Sequence, residues 1–242
     1  MSGTGRRGGP GKGGSAKRSG AGRSLKSRVK TAGKRTDSST RWLQRQLNDP
    51  FVAEAKRAGY RSRAAFKLAQ LDDKAKFLRR GGRIVDLGAA PGGWTQVAVE
   101  RAGRSGRVVA MDINEMAPVP GAVILLGDAR TDEARARVRE ALDGPADVVL
   151  SDMAAPATGH AQTDHLRVMG LVEVALDFAE SVLAPGGAFV AKVLQGGTEP
   201  ELLARLKKAF AKVRHVKPAA SRAESAELYL VATGFRPPES SV

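Results

Sequence analysis

The sequence predicts an α/β fold: a doubly wound, mostly parallel seven-stranded sheet with helices on both faces. Three observations predict it. From residue 83 onward, apolar runs of strand length alternate with stretches of helical length, the signature of strand–helix–strand units. One run, Val85-Asp-Leu-Gly-Ala-Ala-Pro-Gly-Gly-Trp94, passes from an apolar strand through a glycine-rich turn into a helix. Glycines there let the backbone approach a ligand closely, and the helix start exposes N–H groups that hold polar or anionic atoms. Finally, Asp112, Asp128 and Asp152 each end a strand-like run, and open α/β sheets bind ligands outside the carboxyl ends of their strands.

The elements follow in order. Asp49-Pro50 reads as N-cap and first residue of a short helix reaching Gly59, because an acceptor side chain followed by proline suits a helix start. Ser62 is the expected cap of a second helix to about Lys76, with Ala65, Phe66, Ala69 and Leu71 facing the core. Strands are expected at 83–87, 107–111, 122–126, 146–151, 187–193 and 227–233, with a weaker signal near 212–217. Helices are expected at 93–102, 131–142, 163–183 and 199–210, and Leu183-Ala-Pro-Gly-Gly187 stops a helix and feeds a strand. The last strand follows its predecessor after a short connection, which suits an antiparallel pairing. No internal repeat is visible.

Charge divides the chain. Of the formal net charge of +15, residues 1–40 carry eleven Lys or Arg against one acid, Asp37; the remainder carries 29 against 24. A stretch rich in Gly, Ser and basic residues with few large apolar side chains cannot offset its ordering entropy. Residues 1–40 are therefore expected to be a disordered basic arm, 41–236 the folded domain and 237–242 a tail. A mobile basic arm suits nucleic acid, where phosphate contacts supply sequence-independent affinity; charge alone fits a solubilising tail equally. The absence of cysteine excludes disulfides, thiolate nucleophiles and cysteine zinc sites. His160, His165 and His215 show no metal-ligand spacing, and no metal is expected. No apolar run reaches membrane-spanning length, and the N-terminus lacks the apolar core of a secretory signal. A cytoplasmic, monomeric protein is expected, although the acid-poor, Arg-rich start is compatible with a transit peptide.

Gly88-x-x-x-Gly92-Gly93 is not the GxGxxG of dinucleotide enzymes, since Pro91 stands in the turn and the spacing differs. Asp112 lies twenty residues beyond Gly92, where a carboxylate accepts hydrogen bonds from ribose hydroxyls. Each acid alone is also a plain helix cap or solvated turn residue. Together, at strand ends read as adjacent, they point to a ribose-bearing molecule held by acids and no phosphate-gripping basic turn. S-adenosylmethionine fits better than NAD: Asp112 on the ribose, Asp128 on the adenine amino group, and the Gly92–Trp94 turn on the methionine end. Trp94 suits packing against the sheet as well as cofactor contact. Asp86, at a buried strand end, orients the turn.

Two lysines need explaining. Lys192 sits inside Phe189-Val-Ala-Lys-Val-Leu194, where an unpaired charge is costly. Lys67 ends Tyr60-Arg-Ser-Arg-Ala-Ala-Phe-Lys67, and Glu227 begins the last strand. Lys67, Asp152, Lys192 and Glu227 resemble the Lys-Asp-Lys-Glu tetrad of ribose 2′-O-methyltransferases. From about Asp49 to Gly234 the chain resembles the FtsJ (RrmJ, RlmE) family of bacterial 23S rRNA uridine 2′-O-methyltransferases. The matching segments are 60–67, 85–94, Ser-Asp-Met-Ala (151–154), Leu-Ala-Pro-Gly-Gly (183–187), Val-Ala-Lys-Val (190–193) and the 221–234 ending with Glu-Leu-Tyr-Leu-Val-Ala-Thr-Gly. The resemblance implies a Rossmann-like class I S-adenosylmethionine-dependent methyltransferase acting on a uridine ribose of 23S rRNA, on an assembled or nearly assembled 50S subunit. The chain departs from the family at Ala155-Pro156-Ala157-Thr158-Gly159-His160, where Pro-Asn often follows Ser-Asp-Met-Ala; this bears on the target nucleotide.

A ribose hydroxyl is a weak nucleophile, so a group must take its proton as it attacks the sulfonium methyl. Lys192 is the expected proton acceptor, provided it is neutral: burial and Lys67 favour that, whereas Asp152 and Glu227 oppose it. A charged Lys192 that orients the 2′ oxygen is the competing role. Asp152 then holds the lysine and the cofactor end of the site, Lys67 steers ribose or phosphate, and Glu227 positions Lys67. Arg61, Arg63 and Arg222 are candidate phosphate contacts. A non-catalytic RNA-binding assembly factor is the alternative from another class, opposed by the intact tetrad. An NAD-dependent oxidoreductase is opposed by the phosphate turn.

Overall fold

The computed structural model describes residues 47–196 and 198–238; the arm expected at 1–40, and 239–242 of the expected tail, lie outside them. Asp49 caps α1 (Pro50–Arg57), its carboxylate accepting the Phe51 N–H at 3.0 Å. Ser62 does not cap α2 (Ala64–Ala75), which has Arg63 at its N-cap and no side-chain cap bond. Ala65 and Leu71 are buried as expected, together with Leu68. Phe66 and Ala69 are only half-buried, because Phe66 turns to the Phe51 and Tyr60 rings at 5.7 and 5.5 Å.

The alternation then runs β1 (Arg83–Leu87), α3 (Gly93–Ala102), β2 (Arg107–Asp112), β3 (Ala122–Leu126), α4 (Asp132–Leu142), β4 (Ala146–Ser151), α5 (Ala161–Val182), β5 (Leu183–Leu194), α6 (Pro200–Ala209), β6 (Phe210–Val216) and β7 (Glu227–Phe235). One seven-stranded sheet has the order β3-β2-β1-β4-β5-β7-β6. Strands β1 to β5 pair in parallel, and β7 is antiparallel to both β5 and β6. From β1 the chain winds outward to β3, then returns to place β4 on the other side of β1. That reversal leaves a crevice at the carboxyl ends of β1 and β4.

Two strands begin earlier than the sequence predicts. Leu183 already pairs with Ala146 before the register shifts to Val148 opposite Ala188. A Cβ on Gly187 would lie 2.9 Å from the Ala184 carbonyl and 3.1 Å from that of Asp147, so glycine is what lets this bulge fold tightly. Strand β6 starts at Phe210, which pairs with Phe235 and packs against its ring at 5.3 Å.

Strand side chains alternate between two cores. Ile84, Val108, Leu150, Val190 and Tyr229 pack under α2 and α3. Val85, Val109, Val149 and Phe189 pack under α4, α5 and α6. Among the described residues no helix is long and apolar enough to cross a membrane.

Candidate active site

A cavity of about 380 Å³ opens at the crevice, lined among others by Gly88, Asp112, Ile113, Asp128, Asp152 and Met153. The three acids share it, but not from three adjacent strands as expected. They follow β2, β3 and β4, and β1 lies between β2 and β4, because the chain reverses there; Gly88 fills the gap. At φ +72° Gly88 adopts a left-handed conformation, and a Cβ would fall 2.7–2.8 Å from Met153, so only glycine lets the two walls meet.

Asp112 Oδ2 accepts from the Ala90 N–H at 2.9 Å, and Oδ1 accepts from the Asn114 backbone N–H and Nδ2 at 2.8 and 2.9 Å. The carboxylate thus braces the glycine turn from the cavity side. Asp128 is gripped by Arg130, with Nε 3.0 Å from both carboxylate oxygens and Nη2 2.6 Å from Oδ2. The Arg130 hydrogen bonds hold the Asp128 carboxyl below its ordinary range. Arg130 is solvent-exposed, so this pair is easily exchanged for another donor.

The glycine turn is held from beneath. Asp86 is fully buried and accepts the Thr95 hydroxyl at 2.7 Å, tying β1 to the first turn of α3 in the orienting role the sequence predicts. Gly92, expected on the cofactor, does not line the cavity as Gly88 and Ala90 do; it sits at the α3 N-cap with φ +107°, and a Cβ there would meet Arg61 Nη1 at 2.9 Å. The Trp94 ring takes the packing role, one of the two that the sequence allows. It is 2% exposed, donates Nε1–H to the Ala64 carbonyl at 2.9 Å and packs 5.5 Å from the Tyr229 ring. Large apolar surface is driven into the core between α2 and the sheet, so what Trp94 offers a ligand is backbone.

The three arginines singled out for phosphate have other work. Arg61 donates to the carbonyls of Pro91, Ala117 and Pro118. Arg63 donates to Asp49 and to the Ala220 carbonyl, and Arg222 Nε reaches Asp49 at 3.0 Å. Carbonyl groups and a buried carboxylate have captured them as loop ties.

Lys67, Asp152, Lys192 and Glu227 come together from α2, the end of β4, β5 and β7. Lys67 Nζ lies 2.7 Å from Glu227 Oε2. Lys192 Nζ donates to the Asp152 backbone carbonyl at 2.7 Å and lies 3.3 Å from its Oδ1. Both lysine side chains are at most 10% exposed, so each needs its partner. Burial pushes the Glu227 carboxyl up, but Lys67, with Lys192 and the Ser225 hydroxyl, outweighs it and leaves the group below its usual range.

The sequence reading missed Tyr229 at the centre of this chain. Its hydroxyl lies 3.3 Å from Lys67 Nζ and 3.2 Å from Asp152 Oδ1. A signal was present: two residues beyond Glu227 on a strand means the same face.

A reversing parallel sheet, an acid-rimmed cavity at its switch point and a buried lysine–carboxylate array beside it define a Rossmann-like class I methyltransferase. Residues 60–235 match the FtsJ-like methyltransferase family, and the chain belongs to that family. It is 62% identical to the ribosomal RNA large subunit methyltransferase E of Parvibaculum lavamentivorans, over 98% of this chain and 96% of that protein. Its identity to the protein of the same name from Paramagnetospirillum magneticum is 66%, over 90% and 91%. A crystal structure from Plasmodium falciparum, of a protein described as a ribosomal RNA methyltransferase, superposes with a TM-score of 0.65 at 33% identity, covering 73% of this chain and 98% of that one.

Proposed function

We propose that residues 41–236 transfer a methyl group from S-adenosylmethionine to the ribose 2′-OH of a uridine in 23S rRNA, on the assembled large subunit. One observation carries the reading: Asp152 both lines the cavity and holds Lys192, so cofactor pocket and proton acceptor meet at a single residue. The names of the relatives at 62% and 66% identity support the RNA class.

The cavity suits an adenosyl ligand by its donor set. Asp112 Oδ1 already accepts two bonds from Asn114, while Oδ2 accepts one from Ala90 and keeps capacity for a ribose hydroxyl. Asp128 exchanges exposed Arg130 for an exocyclic amine, and Ile113 and Met153 supply apolar wall. Bound there, S-adenosylmethionine supplies a methyl on a sulfonium, a leaving group that needs no protonation. The residues of the chain handle the oxygen. As the 2′ oxygen took the methyl from sulfur, its proton would pass to Lys192 Nζ, which accepts it only as the free amine. Asp152 then stabilises the ammonium produced. Lys67, anchored by Glu227 at 2.7 Å, presents positive charge to the sugar or its phosphate, and the buried setting strengthens every such interaction.

Lys192→Ala is expected to abolish transfer of labelled methyl to purified subunits, while calorimetric affinity for S-adenosylmethionine stays within a few-fold. Normal labelling by that variant overturns the assignment.

A further inference from the structure

We propose that the Tyr229 hydroxyl is a positioning group for Lys192: it joins the two lysine–carboxylate pairs in one line and takes up part of the Asp152 charge that otherwise clamps the lysine. The proposal rests on the reading of Lys192 as proton acceptor.

The geometry fixes the polarity of the bridge. Lys67 Nζ has only protons to give, so at 3.3 Å it donates to the Tyr229 oxygen; the single phenolic proton is left for Asp152 Oδ1 at 3.2 Å. Lys192 Nζ lies 3.3 Å from that same oxygen. Tyr229 and Lys192 are direct cross-strand partners on β7 and β5, which holds both on one face. The ring has no freedom to leave: it is fully buried, packs on Trp94 at 5.5 Å and carries Lys67 Nζ 5.7 Å over its centroid. Burial, with Asp152 and Glu227 nearby, pushes the phenol well above its ordinary value, so the bridging proton stays in place.

Every element around the bridge contributes to its field. Helix α2 presents Lys67 and Arg63, β1 presents Asp86, the end of β4 presents Asp152, and β7 presents Glu227. Helix α3 presents the apolar Trp94 ring, and β6 places Val216 opposite Tyr229. Within this set Tyr229 is the neutral donor to the oxygen that faces Lys192. Without its hydroxyl that oxygen concentrates its charge on Lys192, and the ammonium releases its proton less readily.

Tyr229→Phe keeps the ring and removes the bridge. The rising limb of the pH profile of single-turnover methyl transfer is expected to move alkaline by about 0.5 to 1 pH unit, the worth of one hydrogen bond. Affinity for S-adenosylmethionine is expected to stay within about twofold, because the cavity wall is untouched. The chain has two tyrosines, and Tyr60 bonds to Glu100 elsewhere. Fluorotyrosine incorporated in a Tyr60→Phe background therefore alters Tyr229 alone. Its more acidic phenol donates more strongly and should move the limb the opposite way, which a packing role cannot do. An unmoved limb together with an unmoved Lys192 titration in the fluorotyrosine protein overturns the proposal, even if Tyr229→Phe fails to fold. NMR titration of labelled lysine separates the two readings. A Lys192 titration that moves in step with the substitutions while the pH profile of transfer does not move overturns Lys192 as acceptor and keeps the bridge. A Lys192 titration unmoved by either substitution overturns the bridge.

Discussion

Asp86 shows how much a single buried group shapes the pH response. Its carboxyl is fully buried, and Oδ1 has no partner among the described residues. Burial pushes it up, Thr95 pulls it back, and Asp152 and Asp112 push further, to about 7 from an ordinary 3.8. Between those values the native state keeps a proton that the unfolded chain has lost, so stability falls as pH rises. The contribution is complete below about pH 4 and gone above about pH 7, and amounts to about 4 kcal/mol by linkage. Asp86→Asn should flatten this dependence: in urea unfolding from pH 4.5 to 7.5, the variant should gain on the parent as pH rises. A constant difference across that range sinks the assignment. Asp86, Asp112, Asp128 and Asp152 were legible in the sequence because strand ends and carboxylates are local features. Tyr229 was not, because an aromatic residue in an apolar strand reads as core, and its hydroxyl gains meaning only from partners 77 and 162 residues away.

At the scale of elements, Asp49 ties three segments together. It caps α1, pairs with Arg63 beside α2 and takes Arg222 from the connection that leads into β7. Gln70 and Lys217 secure the same connection through Ala220 N–H and through the Ala223 and Ser225 carbonyls. These ties set where Glu227 starts its strand, and so where Lys67 is held. Asp49→Ala removes a cap worth about 1 kcal/mol and leaves two arginines short of their carboxylate. Discounting for the partly exposed Arg222, a loss of about 3 kcal/mol in chemical unfolding is expected. Stability within about 0.5 kcal/mol of the parent, a change typical of plain surface sites, would return Arg63 and Arg222 to the phosphate role. The cap at Asp49 was readable from sequence, since capping is local. The failure at Ser62 has a tertiary cause: its hydroxyl lies against Gly93, where a Cβ would sit 2.3 Å away, and close packing of α2 on α3 displaces the cap.

For the whole molecule, the proposed RNA substrate gives the uneven charge a purpose. Residues 1–40 hold eleven basic side chains against one acid. Removing them is expected to weaken binding to large-subunit RNA and flatten its salt dependence, since fewer counterions are released. Affinity for S-adenosylmethionine should not change. Equal RNA affinity and an equal slope after truncation would make the arm a bystander.

By itself the sequence determined the alternating elements, the glycine turn, the acids at strand ends and the lysines that need partners, because these rest on periodicity, capping and the cost of isolated charge. Only the tertiary structure decided that β1 separates two of the acids, that the Trp94 ring belongs to the core and that Tyr229 links the lysine pairs. Strand order and cross-strand contact depend on where the chain reverses, and no local run of residues carries that information.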